Sequence, residues 1–165
     1  MCRQLEEFVT NHQQCFEREL LTGHVTGSAW VVDGGFTKTL LTHHKKLDKW
    51  FQPGGHADGD SDVASVAMRE AVEETGLAGL EFVSHEIFDL DIHLIPDRKD
   101  EPQHYHYDCR FIIRCTGNEA YTVTTESNDL AWIPFPEIGR YTNEESILRM
   151  VEKVSVFADG HPDLI

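Results

Sequence analysis

Apolar and polar residues recur with two different periods along this chain, and the switches between them mark out its elements. Leu5, Phe8, Val9, His12, Cys15, Phe16, Glu19 and Leu20 fall at steps of three and four, which predicts an amphipathic helix ending near Gly23. From Val25 to Asp33 and from Phe36 to Thr42 the residues are apolar and β-prone, and Asp33-Gly34-Gly35 between them suits a tight antiparallel hairpin. A polar stretch, His43 to Lys49, leads through Trp50-Phe51-Gln52-Pro53 and Gly54-Gly55 to the loop His56 to Ser61. That loop opens a helix from about Asp62 to Thr75, stopped by Gly76. Leu80 to Ile95 predicts one long or two short strands, His104 to Cys115 another, and Tyr121 to Thr124 and Leu130 to Ile133 two more. Asn143 to Val156 closes the pattern as an amphipathic helix with Ile147, Leu148, Val151 and Val154 as its buried stripe.

Strands flanked by helices predict an α/β (α+β) layered sandwich, whose strand order the pattern leaves open. The expected division is an N-terminal helix over 1–24 packed on the body, one domain over 25–157, and a loosely held tail over 158–165 containing Gly160 and Pro162. There is no internal repeat and no low-complexity linker.

Charge narrows the choice of partner. With 29 acidic against 14 basic residues the formal charge is -15, which opposes binding to a nucleic-acid duplex or an anionic membrane. A small phosphate compound is a different case, because a bound divalent cation reverses the local sign. Cys2, Cys15, Cys109 and Cys115 form no C-x-x-C pair and no zinc-ligand spacing. No apolar run has the length of a signal peptide or a membrane span. The expectation is a protein with reduced thiols in the cytoplasm, with a homodimer allowed for.

The helix after Gly54-Gly55 carries the chemistry. Stepping about 100° per residue, Ala64, Ala67, Met68, Ala71 and Thr75 share one arc, and Glu70, Glu73 and Glu74 share another. Like charges at such spacing repel by about 0.2 to 0.5 kcal/mol per pair, and a hard divalent cation turns that repulsion into attraction. Acidic helix faces are ordinarily just solvated, so three glutamates alone decide little. The residues around them decide more: Gly55 stands ahead of Arg69-Glu70-Ala71-Val72-Glu73-Glu74-Thr75-Gly76-Leu77 at fixed offsets.

This pattern resembles the signature of the Nudix hydrolase (MutT-like) family, and five specified residues after one fixed glycine coincide by chance about once in ten million placements. The resemblance implies an α/β/α sandwich with a central mixed sheet. It also implies a Mg²⁺-dependent hydrolase, with Mn²⁺ as a substitute, cleaving a phosphoanhydride bond of a nucleoside diphosphate linked to another moiety or of a related small phosphate compound. Glu70, Glu73 and Glu74 would bind metal, with the carbonyl of Gly54 or Gly55, and Arg69 would orient the glutamates by pairing with Glu73. Glu126, six residues before Trp132, is the candidate for a further metal-binding or basic glutamate of many members, or is an ordinary exposed loop glutamate.

One position departs from the signature: the family's first glutamate falls at Ser61, between Asp60 and Asp62. Either a neighbouring aspartate compensates, or Ser61 or Asp60 caps the helix. The aspartates of Asp58-Gly59-Asp60-Ser61-Asp62 do not make a calcium loop, because the glycine is misplaced and the twelfth position is Arg69.

Substrate-contact candidates are His56, directly after the glycine pair; Trp50, as a stacking face or as core; and His104 and His106. With Asp108, these two histidines alternate onto one strand face and line a cleft, bind a further metal, or form an ordinary polar sheet face. Two readings from other classes stand beside the hydrolase. One is a non-catalytic Nudix-like nucleotide or sugar-nucleotide sensor. The other is an isomerase on the same fold, disfavoured for want of a catalytic cysteine near a suitable base.

Overall fold

The computed structural model describes residues 1–98, 102–125 and 127–160. Its axis is a parallel pair, β1 (Gly23–Val32) and β7 (His104–Cys115), in continuous register from Gly23 opposite Tyr105 to Val32 opposite Arg114. Around them a mixed sheet assembles from β2 (Lys38–His44), β3 (Lys49–Phe51), β4 (Gly54–His56), β5 (Leu80–Phe82), β6 (Asp89–Ile95) and β8 (Ser127–Pro134). Leu80 to Ile95 thus forms two short strands, both antiparallel to β7.

The sheet is covered on both faces. Odd-numbered β1 residues, Val25, Ala29 and Val31, pack towards α2 (Val63–Thr75) and α1 (Cys2–Asn11). On the other face, Trp30 and Val32 meet Ile147, Met150 and Val154 of α3 (Glu145–Gly160). This is the expected helix–sheet–helix sandwich. None of the helices described is long and apolar enough to cross a membrane.

Several elements differ from expectation. Helix α1 stops at Asn11, and His12 is already extended at φ -129°. The chain then turns, so that Val25 N–H donates to the Cys15 carbonyl at 2.7 Å, and Cys15 and Phe16 pack with Phe8, Val25 and Ala67. The tight hairpin is a longer loop over 33–37, in which the Asp33 carboxylate accepts the Thr37 and Lys38 amides at 2.7 and 2.9 Å. Strands β1 and β2 pair only at Val32 and Thr39, then diverge towards β4 and β8.

Tyr121 to Thr124 form no strand. Thr122 instead donates its N–H to the Thr75 carbonyl at 2.8 Å, capping the end of α2. In α3, Met150 occupies the core where Leu148 was expected, and Leu148 is exposed. Of the tail expected over 158–165, residues 158–160 continue α3, which runs to Gly160, and 161–165 lie outside the described residues.

Candidate functional site

Helix α2 begins at Asp62, whose carboxylate accepts the Ser65 amide at 3.1 Å and the Ser65 hydroxyl at 2.8 Å. Asp62 therefore caps the helix, not Ser61 or Asp60. It ends at Gly76, in the left-handed region at φ 66°. The buried arc contains Val66, Ala67, Ala71 and Thr75, with Ala64 and Met68 half-buried, leaving the glutamates to one side.

Strand β4 presents two glycines to those glutamates. Its pairing with β1 sets Gly55 opposite Gly27 and Gly54 opposite Ser28. Gly55 lies against the Glu70 carboxyl group, where a Cβ would stand 2.5 Å from its carboxyl carbon. The Gly54 amide donates to Glu74 Oε1 at 2.8 Å. Strand and helix thus bring Gly54, Gly55, Glu70 and Glu74 together, while Glu73 lies on the exposed side of α2. Arg69 reaches Glu70 Oε1 at 3.5 Å and Asp60 Oδ2 at 3.9 Å. Its neighbour is Glu70 and not the expected Glu73, because Glu70 turns in towards β4 and Asp60 stands beyond it. Glu126 lies outside the described residues.

Because side chains alternate along a strand, His56 points away from the glutamates. Its partner across the pair is Thr26, and it joins a polar face built by alternate residues of three strands. Strand β1 gives His24, Thr26 and Ser28, β7 gives His104, His106, Asp108 and Arg110, and β6 gives Asp89, Asp91 and His93. Asp108 accepts from Thr26, Ser28, Gln52 and Arg110 at 3.0, 2.7, 3.2 and 2.7 Å. Asp89 accepts from Arg149 and Lys153 of α3 and from Arg110. Burial pushes the Asp89 carboxyl up, but these bonds prevail and hold it below the usual carboxylate range. Asp91 is held lower by its bond from His93, against burial, with help from Arg110 and Arg149.

The histidines sit at the other end of this face. His24 is about 4.9 Å, ring to ring, from both His56 and His104, and 4.7 Å from His106. Burial, then the neighbouring imidazoles, lowers His24 to about 4 and His106 to about 2, so both rings are neutral near pH 7. Reading the sequence singled out His104, His106 and His56 but missed His24 and His93. The signal was there: His24, Thr26 and Ser28 alternate within one strand. Trp50 is elsewhere, stacked on His43 at 5.0 Å and edge-on to Tyr141 at 5.3 Å. A surface hollow of 460 Å³ beside Phe88, Arg149 and Phe157 is not lined by Glu70, Glu73 or Glu74.

The family model described as the NUDIX domain matches residues 23–154, from the first residue of β1 into α3. The chain belongs to the Nudix family. The class of reaction that goes with this membership is hydrolysis of an acid anhydride. Solved structures with the same Nudix fold include an Ap4A hydrolase binary complex from C. elegans, with TM-score 0.67 and 15% identity over 82% of this chain and 98% of that one. Another is a NUDIX-family hydrolase from Clostridium perfringens, with TM-score 0.65 and 21% identity over 81% and 97%. A third is the NUDIX domain of Shewanella oneidensis NrtR complexed with ADP ribose, with TM-score 0.58 and 16% identity over 91% and 96%. No curated protein matches the chain in sequence.

Proposed function

We propose that this Nudix protein is a Mg²⁺-dependent pyrophosphohydrolase, cleaving the phosphoanhydride bond of a nucleoside diphosphate linked to another moiety or of a related small phosphate compound. The observation that carries the reading is the closeness of Gly54 and Gly55 to Glu74 and Glu70, inside the span that matches the family. The donors gathered there are carboxylate oxygens, the hard set that suits Mg²⁺ or Mn²⁺ and does not select softer ions. Glu70, Glu73 and Glu74 would hold the metal, with a backbone carbonyl of Gly54 or Gly55.

A bound Mg²⁺ would supply neutralisation of the phosphoryl oxygens and acidify the attacking water. The chain's own part is positional. The Gly54 amide fixes Glu74, and the bare α-carbon of Gly55 leaves room for the Glu70 carboxylate. Arg69 steadies Glu70 from the solvent side. Glu70 or Glu126 takes the proton from water as its oxygen bonds to phosphorus and the anhydride P–O bond breaks, the other phosphate leaving with the bonding electron pair.

A screen of phosphoanhydride compounds with Mg²⁺ and Mn²⁺ tests this proposal. Turnover of at least one compound, abolished by chelator, is the expected result. Tight binding without turnover would replace it with a ligand-sensing module, the reading supported by the likeness to a NUDIX domain complexed with ADP ribose.

A further inference from the structure

The histidine cluster stands apart from the glutamates, on the opposite face of β4, and the hydrolase reading does not use it. His24, His56 and His106 come from three different strands, and their ligating nitrogens all lie within 4.8 Å of one another. His24 is 1% exposed, and neither of its ring nitrogens has a hydrogen-bond partner. Among the described residues only two other buried side-chain atoms share that condition, Trp30 Nε1 and Gln52 Oε1. A buried polar group without a partner is costly, and a metal ion bound by a ring nitrogen of His24 would relieve that cost.

The tautomers agree. His104 Nδ1 lies 2.9 Å from the Pro102 carbonyl, which can only accept, so that nitrogen carries the proton. In the neutral ring Nε2 of His104 is then the acceptor, and the His106 Nε2 facing it at 3.1 Å is the donor. Nδ1 of His106 is left with its lone pair. A ligand imidazole oriented through its other nitrogen is the usual outer arrangement of histidine metal sites. Here the orienting chain runs from His106 through His104 to the Pro102 carbonyl.

We infer that His24, His56 and His106 form a second metal site, built of imidazole nitrogen and suited to Zn²⁺ or a similar transition dication, on the face of the sheet opposite the glutamates. Neutral imidazoles favour such ions over Mg²⁺, which prefers oxygen. Tetrahedral Zn–N bonds bring ligand nitrogens to about 3.3 Å apart, so the rings close in by roughly an ångström or so as the ion enters. Three protein ligands leave a fourth position for water or another oxygen. The ion ties β4, the strand beneath Glu70 and Glu74, to β1 and β7.

Co²⁺ titration of the chelator-stripped full chain, followed by visible absorption, tests the site. The background is Glu70→Gln/Glu74→Gln, which disables the carboxylate site. One equivalent of Co²⁺ should give an intense tetrahedral spectrum in wild type and in that background, unaffected by excess Mg²⁺. Saturating Zn²⁺ should raise Tm by ~5 °C or more. His106→Asn and the half-buried His56→Gln should each weaken binding at least ~10-fold and lose the Tm increment. His56→Gln leaves the buried rings in place, so its melt without metal serves as the folding control. A spectrum and Tm increment that survive in His56→Gln, or Co²⁺ binding that disappears with the two glutamates, would overturn the assignment.

Discussion

The α-carbon of Gly55 lies against the Glu70 carboxylate so closely that a methyl group there would stand 2.5 Å from the carboxyl carbon. The obstructed atoms are the far end of a side chain, which can swing away. Gly55→Ala should therefore fold with a Tm within a few degrees of wild type and lose at least ~10-fold in kcat, because Glu70 is displaced. Gly54→Ala differs in kind. Its Cβ would meet the Ser28 Cα at 2.9 Å, and backbone cannot swing, so a destabilisation of about 1–3 kcal/mol is expected. Denaturant melts and rates on the two variants check the contrast; equal stability losses would refute it.

The approach of Glu70 and Glu74 to Gly54 and Gly55 was legible because its information is local, whereas Glu73, expected beside them, lies on the exposed side of α2. Helix spacing places Glu70, Glu73 and Glu74 on one arc, and Gly55 to Leu77 is a single loop and helix. The histidine site was only half legible. Alternation along β7 puts His104 and His106 on one face, but their meeting with His24 and His56 depends on β1 running parallel to β7 and antiparallel to β4. Strand order of that kind is set by tertiary packing. The same limit explains Tyr121 to Thr124, whose strand-like composition serves to cap α2, and α1, which tertiary packing shortens despite its periodicity. Arg69 was assigned to Glu73 from the four-residue spacing, and proximity to Asp60 and Glu70 drew it elsewhere.

Glu74 accepts the Gly54 amide, a bond that a glutamine oxygen can also accept. Glu74→Gln should thus keep the fold and the β4–α2 contact while removing the charge. The expected outcome is a rate at least ~100-fold lower with a nearly unchanged Tm. Unchanged turnover would remove Glu74 from the mechanism.

Acid should unfold this protein through the buried Asp89 and the half-buried Asp91. Asp89 and Asp91 ionise below the usual range in the folded state and near about 3.9 in the unfolded chain. Their stabilisation is therefore complete above that value and is lost as pH falls through the lowered folded values. Asp89→Asn should flatten the dependence of stability on pH below about 4. At pH 7 it should cost about 3 kcal/mol, since the almost fully buried Arg110 and the half-buried Arg149 each lose one charged partner and keep only Asp91 and, for Arg110, Asp108. Urea melts from pH 2 to 7 measure both effects, and a parallel offset at every pH would contradict the assignment.

Asp60 and Ser61 separate position in the sequence from position in space. The family's first glutamate aligns with Ser61, yet the carboxylate nearest Arg69 on the loop belongs to Asp60, at 3.9 Å. Asp60 also accepts the Asp62 amide at 2.9 Å, tying the loop to the helix cap. If Asp60 supports Arg69 in place of the missing glutamate, Asp60→Asn should lower kcat ~10-fold, while Ser61→Ala leaves it within about twofold. Neither should shift Tm by more than a few degrees, because exposed ion pairs contribute about 0–1 kcal/mol. Steady-state kinetics on both variants decide the matter. A larger loss at Ser61 than at Asp60 would mean that the serine itself supports the loop, and that the displaced aspartate is only a solvated neighbour.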